Sequence, residues 1–73
     1  MKKYVLTMGK DLYYVSDSSE DAEYERQYAE DETFQGRKLG IKMSEVNLDE
    51  NKPDEIHKLV NGCTYTTEQI LSI

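Results

Sequence analysis

A single acidic segment constrains the fold of this chain more than any other feature of its sequence. Eight of the fifteen aspartates and glutamates lie between Asp17 and Glu32, where Arg26 is the only cation. The segment therefore has a formal charge of −7, against −6 for the whole chain. Charged side chains are almost never fully buried unless they are paired, so this segment must lie at the surface and the core must come from the residues on either side of it.

The length and the single cysteine limit how the chain can be stabilised. Its 73 residues predict one domain, residues 1–73, and a domain of that size buries only about 60% of the surface that its unfolded chain exposes. Cys63 and His57 are the only cysteine and histidine, so neither an internal disulfide nor a closed zinc site can form. An oligomeric interface is the remaining common source of extra stability.

The N-terminal residues do not match a secretory signal. Two lysines at positions 2 and 3 are followed by only a few apolar residues before Gly9, whereas a signal peptide needs about 7–15 apolar residues in sequence. No run approaches the roughly 20 apolar residues of a membrane span, and anionic lipid surfaces repel an acidic protein. Together with the unpaired cysteine, these features predict a cytoplasmic protein that does not bind membranes.

Residues 3–16 are predicted to form a β-hairpin. Two short runs rich in aromatic and β-branched residues, Tyr4–Met8 and Leu12–Val15, flank Gly9, which allows the positive φ of a tight turn. Side chains alternate across a strand, so one face of the first strand is expected to carry Tyr4, Leu6 and Met8.

The acidic segment is predicted to be a helix from about residue 19 to residue 31. Three candidate N-caps precede it, Asp17, Ser18 and Ser19, and Asp17 with Glu20 approximates a capping box. No apolar stripe runs along this helix, because Tyr24 and Tyr28 share a face with carboxylates while the alanines at 22 and 29 lie nearly opposite. Either the tyrosines pack on the sheet and the carboxylates reach its edge, or the helix is loosely held.

A third strand is predicted from Leu39 towards Leu48. Its apolar residues change parity, since Leu39, Ile41 and Met43 are odd-numbered whereas Val46 and Leu48 are even-numbered. A bulge or kink at Ser44-Glu45 would restore one buried face.

The C-terminal third is predicted to be mostly helical. Pro53 followed by two acids resembles a helix start, Ile56, Leu59 and Val60 have helical spacing, and Asn61-Gly62 is a typical stop. These signals predict a helix over 53–61 with His57 near its C-terminal dipole, then an extended linker over 63–65. A terminal helix is favoured over a strand for residues 66–73, because Thr66 to Gln69 resembles a capping box.

This order of elements, β-β-α-β-α-α, predicts an α+β fold. The hairpin and the third strand would form a small antiparallel sheet, with two or three helices packed on one of its faces.

Catalytic and ligand-binding motifs are missing from the sequence. Cys63 and His57 are the only candidates for nucleophilic catalysis, and no local signature of a cysteine protease surrounds them. The alternating oxygens from Asp17 to Glu23 resemble the start of a calcium loop, but Ala22 replaces the required glycine and Tyr28 the required terminal acid. We therefore expect no catalytic residues, no cofactor and no metal site.

The acidic segment predicts instead a surface for a basic protein partner. Clustered charge of one sign steers a complementary partner, and tyrosines are enriched at interfaces. About one carboxylate per 3 Å of helix axis is close to the one phosphate per roughly 3.4 Å of a DNA strand. The predicted partner-binding residues are Glu20, Asp21, Glu23, Tyr24, Glu25, Tyr28, Glu30, Asp31 and Glu32.

The expected partner is a nucleic-acid-binding protein, whose basic groove the acidic helix would block as a mimic of DNA. Nucleic acid itself is not an expected ligand, because the chain is net anionic. In size and charge the chain is similar to the small acidic inhibitors that phages use against host nucleic-acid machinery. The alternative is a homo-oligomeric assembly module, such as a homodimer joined through an open sheet edge, in which the acidic face is only solvated.

Overall fold

A three-stranded antiparallel sheet forms the centre of the molecule, which a computed structural model describes from residue 1 to residue 73. Its strands lie in the order β2-β1-β3, and they are β1 (Lys2–Met8), β2 (Asp11–Ser16) and β3 (Ile41–Asn47). The predicted hairpin is confirmed, with Gly9 at a φ of 61° in its turn. Because β1 is antiparallel to both neighbours, β2 and β3 run parallel to each other and form the two edges of the sheet.

Two helices connect β2 to β3 across one face of this sheet. The first, α1 (Ser19–Glu32), confirms the predicted acidic helix, and its N-cap is Ser18, which accepts a hydrogen bond from the backbone N–H of Asp21 at 3.3 Å. The second, α2 (Phe34–Leu39), is not among the predicted elements, so the predicted strand start at Leu39 is wrong.

Thr33 joins the two helices by capping both. Its hydroxyl donates a hydrogen bond to the carbonyl of Ala29 in α1 and accepts one from the backbone N–H of Gly36 in α2. The glycine is buried in this helix, and glycine is an unfavourable residue inside a helix. This is why the sequence pattern does not indicate α2.

The bulge predicted in β3 at Ser44-Glu45 is wrong. β3 pairs with β1 in one unbroken register over all seven of its residues. Apolar residues of both parities are buried in β3 because both faces of the sheet are covered, so Ile41 packs on one side and Val46 on the other. A bulge lies instead in β2, where Tyr13 has no partner in β1.

The helix predicted over 53–61 is also wrong, because this segment is extended. It contains β4 (Ile56–Lys58), which pairs antiparallel with β5 (Thr64–Thr66) in a second, two-stranded sheet, so the predicted linker over 63–65 belongs largely to a strand. The connecting 3-10 turn is Val60–Gly62, in which Asn61 and Gly62 have φ values of 65° and 73°.

Burial explains why the extended path replaces a helix there. Leu59 is buried against the central sheet, whereas Ile56 is 69% exposed. In a helix these two residues, three positions apart, would lie on the same face. In the extended chain they separate, so Leu59 enters the core while Ile56 stays at the surface.

The last helix, α3 (Thr67–Leu71), confirms the terminal helix that is favoured over a strand. Its capping box is complete: the hydroxyl of Thr66 accepts from the backbone N–H of Gln69, and the Gln69 side chain accepts from the backbone N–H of Thr66. Ile70, within this helix, is buried.

The core lies on both faces of the central sheet. On the α1 face, Leu6, Met8 and Ile41 pack against two alanines of α1, and Tyr4 lies beside them, which confirms the predicted common face of β1. On the opposite face, a second cluster joins the sheet to the C-terminal segment through Val5, Val46, Leu48, Leu59 and Ile70. The fold is α+β, as predicted, but its order is β-β-α-α-β-β-β-α and its helices are not confined to one face.

Candidate protein-binding face

α1 rests on the sheet through small side chains. Ala22 and Ala29 are completely buried, and they share a face because seven residues make close to two helical turns. Tyr24 and Tyr28 therefore point away from the sheet and are 68% and 52% exposed. The interpretation in which these tyrosines pack on the sheet is wrong, since the alanines bring the helix too close to leave room for a ring.

Arg26 occupies the carboxylates on one side of α1. Its guanidinium lies 2.6 Å from Glu23 and 2.7 Å from Glu30, because residues three and four positions apart are neighbours on a helix. The hydrogen bond from Arg26 lowers the pKa of Glu23. Two of the predicted partner-binding residues are thus already paired within the chain.

The other side of α1 is attached to β2 by a hydrogen bond. The hydroxyl of Tyr14 donates to the carboxylate of Asp21 at 2.6 Å, which raises the pKa of Tyr14 to about 12 and lowers the pKa of Asp21. The nearby charge of Glu25, a half-buried residue, adds to the rise for Tyr14. On this side Asp21 is held by a contact inside the molecule, whereas Glu25 forms no side-chain hydrogen bond or ion pair.

The five remaining predicted residues lie together on the exposed side of α1. With 3.6 residues per turn, they fall within a sector of about 120° around the helix axis. Their three carboxylates form no ion pair with any lysine or arginine of the chain. With Gln27, which lies beside them, we call this set the outer face of α1: Glu20, Tyr24, Gln27, Tyr28, Asp31 and Glu32.

Two shallow, open grooves follow the outer face. The smaller, of about 190 Å³, is lined by Tyr24, Gln27, Tyr28, Asp31 and Glu32. The larger, of about 530 Å³, lies between α1 and β3 and is lined by Ser19, Glu20, Glu23, Tyr24, Gln27 and Met43. We call the second one the α1-β3 groove.

Three groove residues, Ser19, Gln27 and Met43, are missing from the predicted partner-binding residues. Gln27 lies three residues after Tyr24 and four before Asp31, which places it between them on a helix. Its membership of this face could therefore have been predicted from the sequence. Met43 carries no such signal, because its apolar alternation with Ile41 is typical of a buried strand residue. It is 37% exposed, whereas Ile41 on the same face of β3 is buried.

The residues considered for catalysis are engaged elsewhere. Cys63 is buried, and its Sγ lies 3.7 Å from the carbonyl oxygen of Gly9. His57 lies in β4, not at a helix end, and its Nε2 forms a hydrogen bond of 2.8 Å with the hydroxyl of Thr67. No three histidine, cysteine, aspartate or glutamate side chains are grouped closely enough to hold a metal ion.

In comparisons with known proteins, no family model, curated protein or solved structure matches the chain. None of its helices has both the length and the apolar composition that a membrane crossing requires. The site must therefore be interpreted from its own geometry.

Proposed function

We propose that this protein is a non-catalytic binding protein, which attaches to a basic protein partner through the outer face of α1 and so blocks or regulates that partner. The observation that carries the proposal is the placement of Tyr24 and Tyr28, both more than half exposed, among three carboxylates that have no ion-pair partner in the chain. Tyrosines supply large contact area at protein interfaces, and unpaired carboxylates complement lysine and arginine.

The charge pattern narrows the kind of partner. The unpaired carboxylates run from Glu20 to Glu32 over about 18 Å of helix axis, at 1.5 Å per residue. A DNA strand has one phosphate per roughly 3.4 Å, so the three charges of the outer face are sparser than phosphates. Of the other α1 carboxylates, Glu23 and Glu30 pair with Arg26, and Asp21 and Glu25 lie on the side towards β2. The outer face therefore suits a basic protein surface with separate lysines and arginines, and it would mimic DNA in the sign of its charge more than in its spacing.

A nucleic-acid-binding protein in the cytoplasm is the partner class that we propose, because such proteins present basic grooves. Inhibition would then follow from occupation of the groove, as expected for a phage-like inhibitor. Self-assembly is the alternative, and the open edge of β3 supports it, whereas a formal net charge of −6 on each copy opposes it.

The test compares two triple variants of equal charge. One replaces three outer-face carboxylates with lysine: Glu20→Lys, Asp31→Lys and Glu32→Lys. The control changes three exposed acids that lie outside α1 and form no side-chain hydrogen bond or ion pair: Glu50→Lys, Asp54→Lys and Glu55→Lys. Each set takes the formal net charge from −6 to zero.

Capture of proteins from a cell lysate, at low and at high salt, measures binding for both variants. We expect the wild type and the control to retain the same basic protein at low salt, and the outer-face variant to lose it. Tyr24→Ala should reduce capture without any change of charge, and high salt should weaken capture by the wild type. Equal capture by the two triple variants would show that net charge, and not the outer face, is responsible.

A further inference from the structure

The two edges of the central sheet differ in how well they could accept another strand. β2 is interrupted by the bulge at Tyr13, and bulges twist an edge away from a new partner. β3 is regular over Ile41–Asn47, and no other strand pairs with its outer side. β3 is therefore the edge with an unused row of backbone donors and acceptors.

The α1-β3 groove runs beside this edge. Met43 lies opposite Leu6 in the sheet, so it lies on the α1 face, where it forms the apolar floor of the groove. Glu20 and Glu23 of α1 line the same groove, and of these two only Glu20 has no ion-pair partner, because Glu23 pairs with Arg26. A strand added to β3 would direct every second side chain towards this floor and these carboxylates, because side chains alternate across a strand.

We propose that β3 receives an extended segment of the partner as a fourth strand, with alternate lysine or arginine side chains directed into the α1-β3 groove. The inference rests on the proposed function, to which it adds the mode of binding. Backbone hydrogen bonds to β3 provide the affinity, and contacts with Glu20 and Met43 select basic residues with aliphatic stems.

A second copy of the chain fits this edge less well. Antiparallel pairing of β3 with itself about a two-fold axis places both α1 helices on the same face of the joined sheet. Their flanks that carry Glu20 would then face each other, and these like charges repel, as does the formal net charge of −6 on each copy. Charge complementarity thus selects a basic segment and disfavours a homodimer.

The probe is a nine-residue peptide that alternates lysine and valine, made in three forms. One form is unmodified. The second is methylated at the backbone nitrogen of every lysine, and the third at the backbone nitrogen of every valine. In a strand the backbone N–H groups of alternate residues point to opposite edges. Only one methylated form can therefore lose the N–H groups that pair with β3, although all three carry the same charge.

We expect the unmodified peptide to bind and one methylated form to bind at least ten times more weakly, while the other stays within about two-fold of the parent. In nuclear magnetic resonance spectra of the protein, the largest shifts should fall on the backbone amides of residues 42–46. Glu20→Gln should weaken binding of the parent peptide, and the matched change Glu50→Gln should not.

Three results would overturn strand addition. Equal binding by both methylated forms, with shifts confined to α1, would leave the outer face as the binding surface and remove β3 from it. If the unmodified peptide does not bind, then β3 does not receive an extended basic segment. Binding of a basic partner by the outer face is tested separately by capture from lysate. A free protein that sediments as a dimer with protected β3 amides would assign this edge to a second copy.

Discussion

Charge reversal at the two ends of α1 should weaken partner capture in both cases but change stability in opposite directions. Asp31 and Glu32 lie in the last turn of α1, which has no basic residue, and Glu20 lies in the first turn. The helix dipole favours cations at the C-terminus and anions at the N-terminus by about 0.3–1 kcal/mol per exposed charge. Each reversal removes one charge and adds its opposite. The double change Asp31→Lys with Glu32→Lys should therefore raise the free energy of unfolding by about 1.2–4 kcal/mol, and Glu20→Lys should lower it by about 0.6–2 kcal/mol.

These values convert into measurable melting temperatures. In a domain of this size, 1 kcal/mol shifts the melting temperature by about 4–8 °C, so the double variant should melt about 5–30 °C higher and the single variant about 2–16 °C lower. The lower half of the first range is expected, because α2 begins at Phe34 and its own positive end lies close to the substituted residues.

Thermal unfolding followed by circular dichroism gives the stability, and capture of the partner at low salt gives the binding. A variant that melts higher and still loses the partner cannot have lost it through unfolding. A lower melting temperature for the double variant would refute the dipole reasoning. Undiminished capture by a stabilised double variant would instead show that the C-terminal half of the outer face does not contact the partner.

Three further substitutions test the fold that positions the outer face. Gly36→Ala should lower the free energy of unfolding by about 2–4 kcal/mol, through overpacking and a weakened cap, because a Cβ there would clash with the backbone carbonyl of Ala29. Urea denaturation measures this loss. An unchanged free energy of unfolding would contradict the close contact of α1 and α2. Ile70→Ala should cost about 2–5 kcal/mol in the same assay, since Ile70 is 1% exposed, and a loss below about 1 kcal/mol would mean that α3 does not cover the sheet. Tyr14→Phe should remove the latest tyrosine ionisation in an ultraviolet pH titration, because the hydrogen bond to Asp21 raises the pKa of Tyr14 to about 12. Because the folded-state pKa of Tyr14 is raised, this hydrogen bond stabilises the fold fully below the ordinary tyrosine pKa of about 10, and that stabilisation is lost as pH rises through about 12. Because the pKa of Asp21 is lowered, its stabilisation of the fold is lost in acid, below the ordinary aspartate range.

Local signals in the sequence were sufficient where a turn or a cap determined the structure. Gly9 between two apolar runs indicated the hairpin, Ser18 was among the three candidate caps of α1, and the Thr66 to Gln69 pattern indicated the start of α3. In each case the residues that decide the backbone path lie within four positions of one another. Their interactions therefore depend little on the rest of the fold.

The segment 53–61 shows where local signals fail. A helix of nine residues is marginal by itself, so its helical spacing carries little weight against tertiary contacts. The same Asn61-Gly62 pair that can end a helix is also the strongest short hairpin signal, and the chain uses it in that role. Burial of Leu59 against the central sheet, which only the complete fold reveals, decides between the two.

The composition of the outer face was predictable in part. The spacing of Arg26 from Glu23 and Glu30 indicates ion pairs on any helix, so their pairing could have been taken from the sequence. The contact between Tyr14 and Asp21 could not, because it depends on how α1 crosses β2. The sequence therefore identifies the acidic helix as the site, and packing determines which of its carboxylates remain unpaired.

The side chains that attach α1 to the fold are different from those that form its outer face. Two buried alanines supply little apolar contact, so the helix also depends on its caps, on the bond from Tyr14 to Asp21 and on the junction at Thr33. None of these contacts uses an outer-face side chain. Substitutions on the outer face should therefore leave the fold in place, whereas the two exposed tyrosine rings gain most from burial against another surface. A helix without an apolar stripe can thus present a charged, aromatic surface whose side chains take no part in attaching the helix to the rest of the fold.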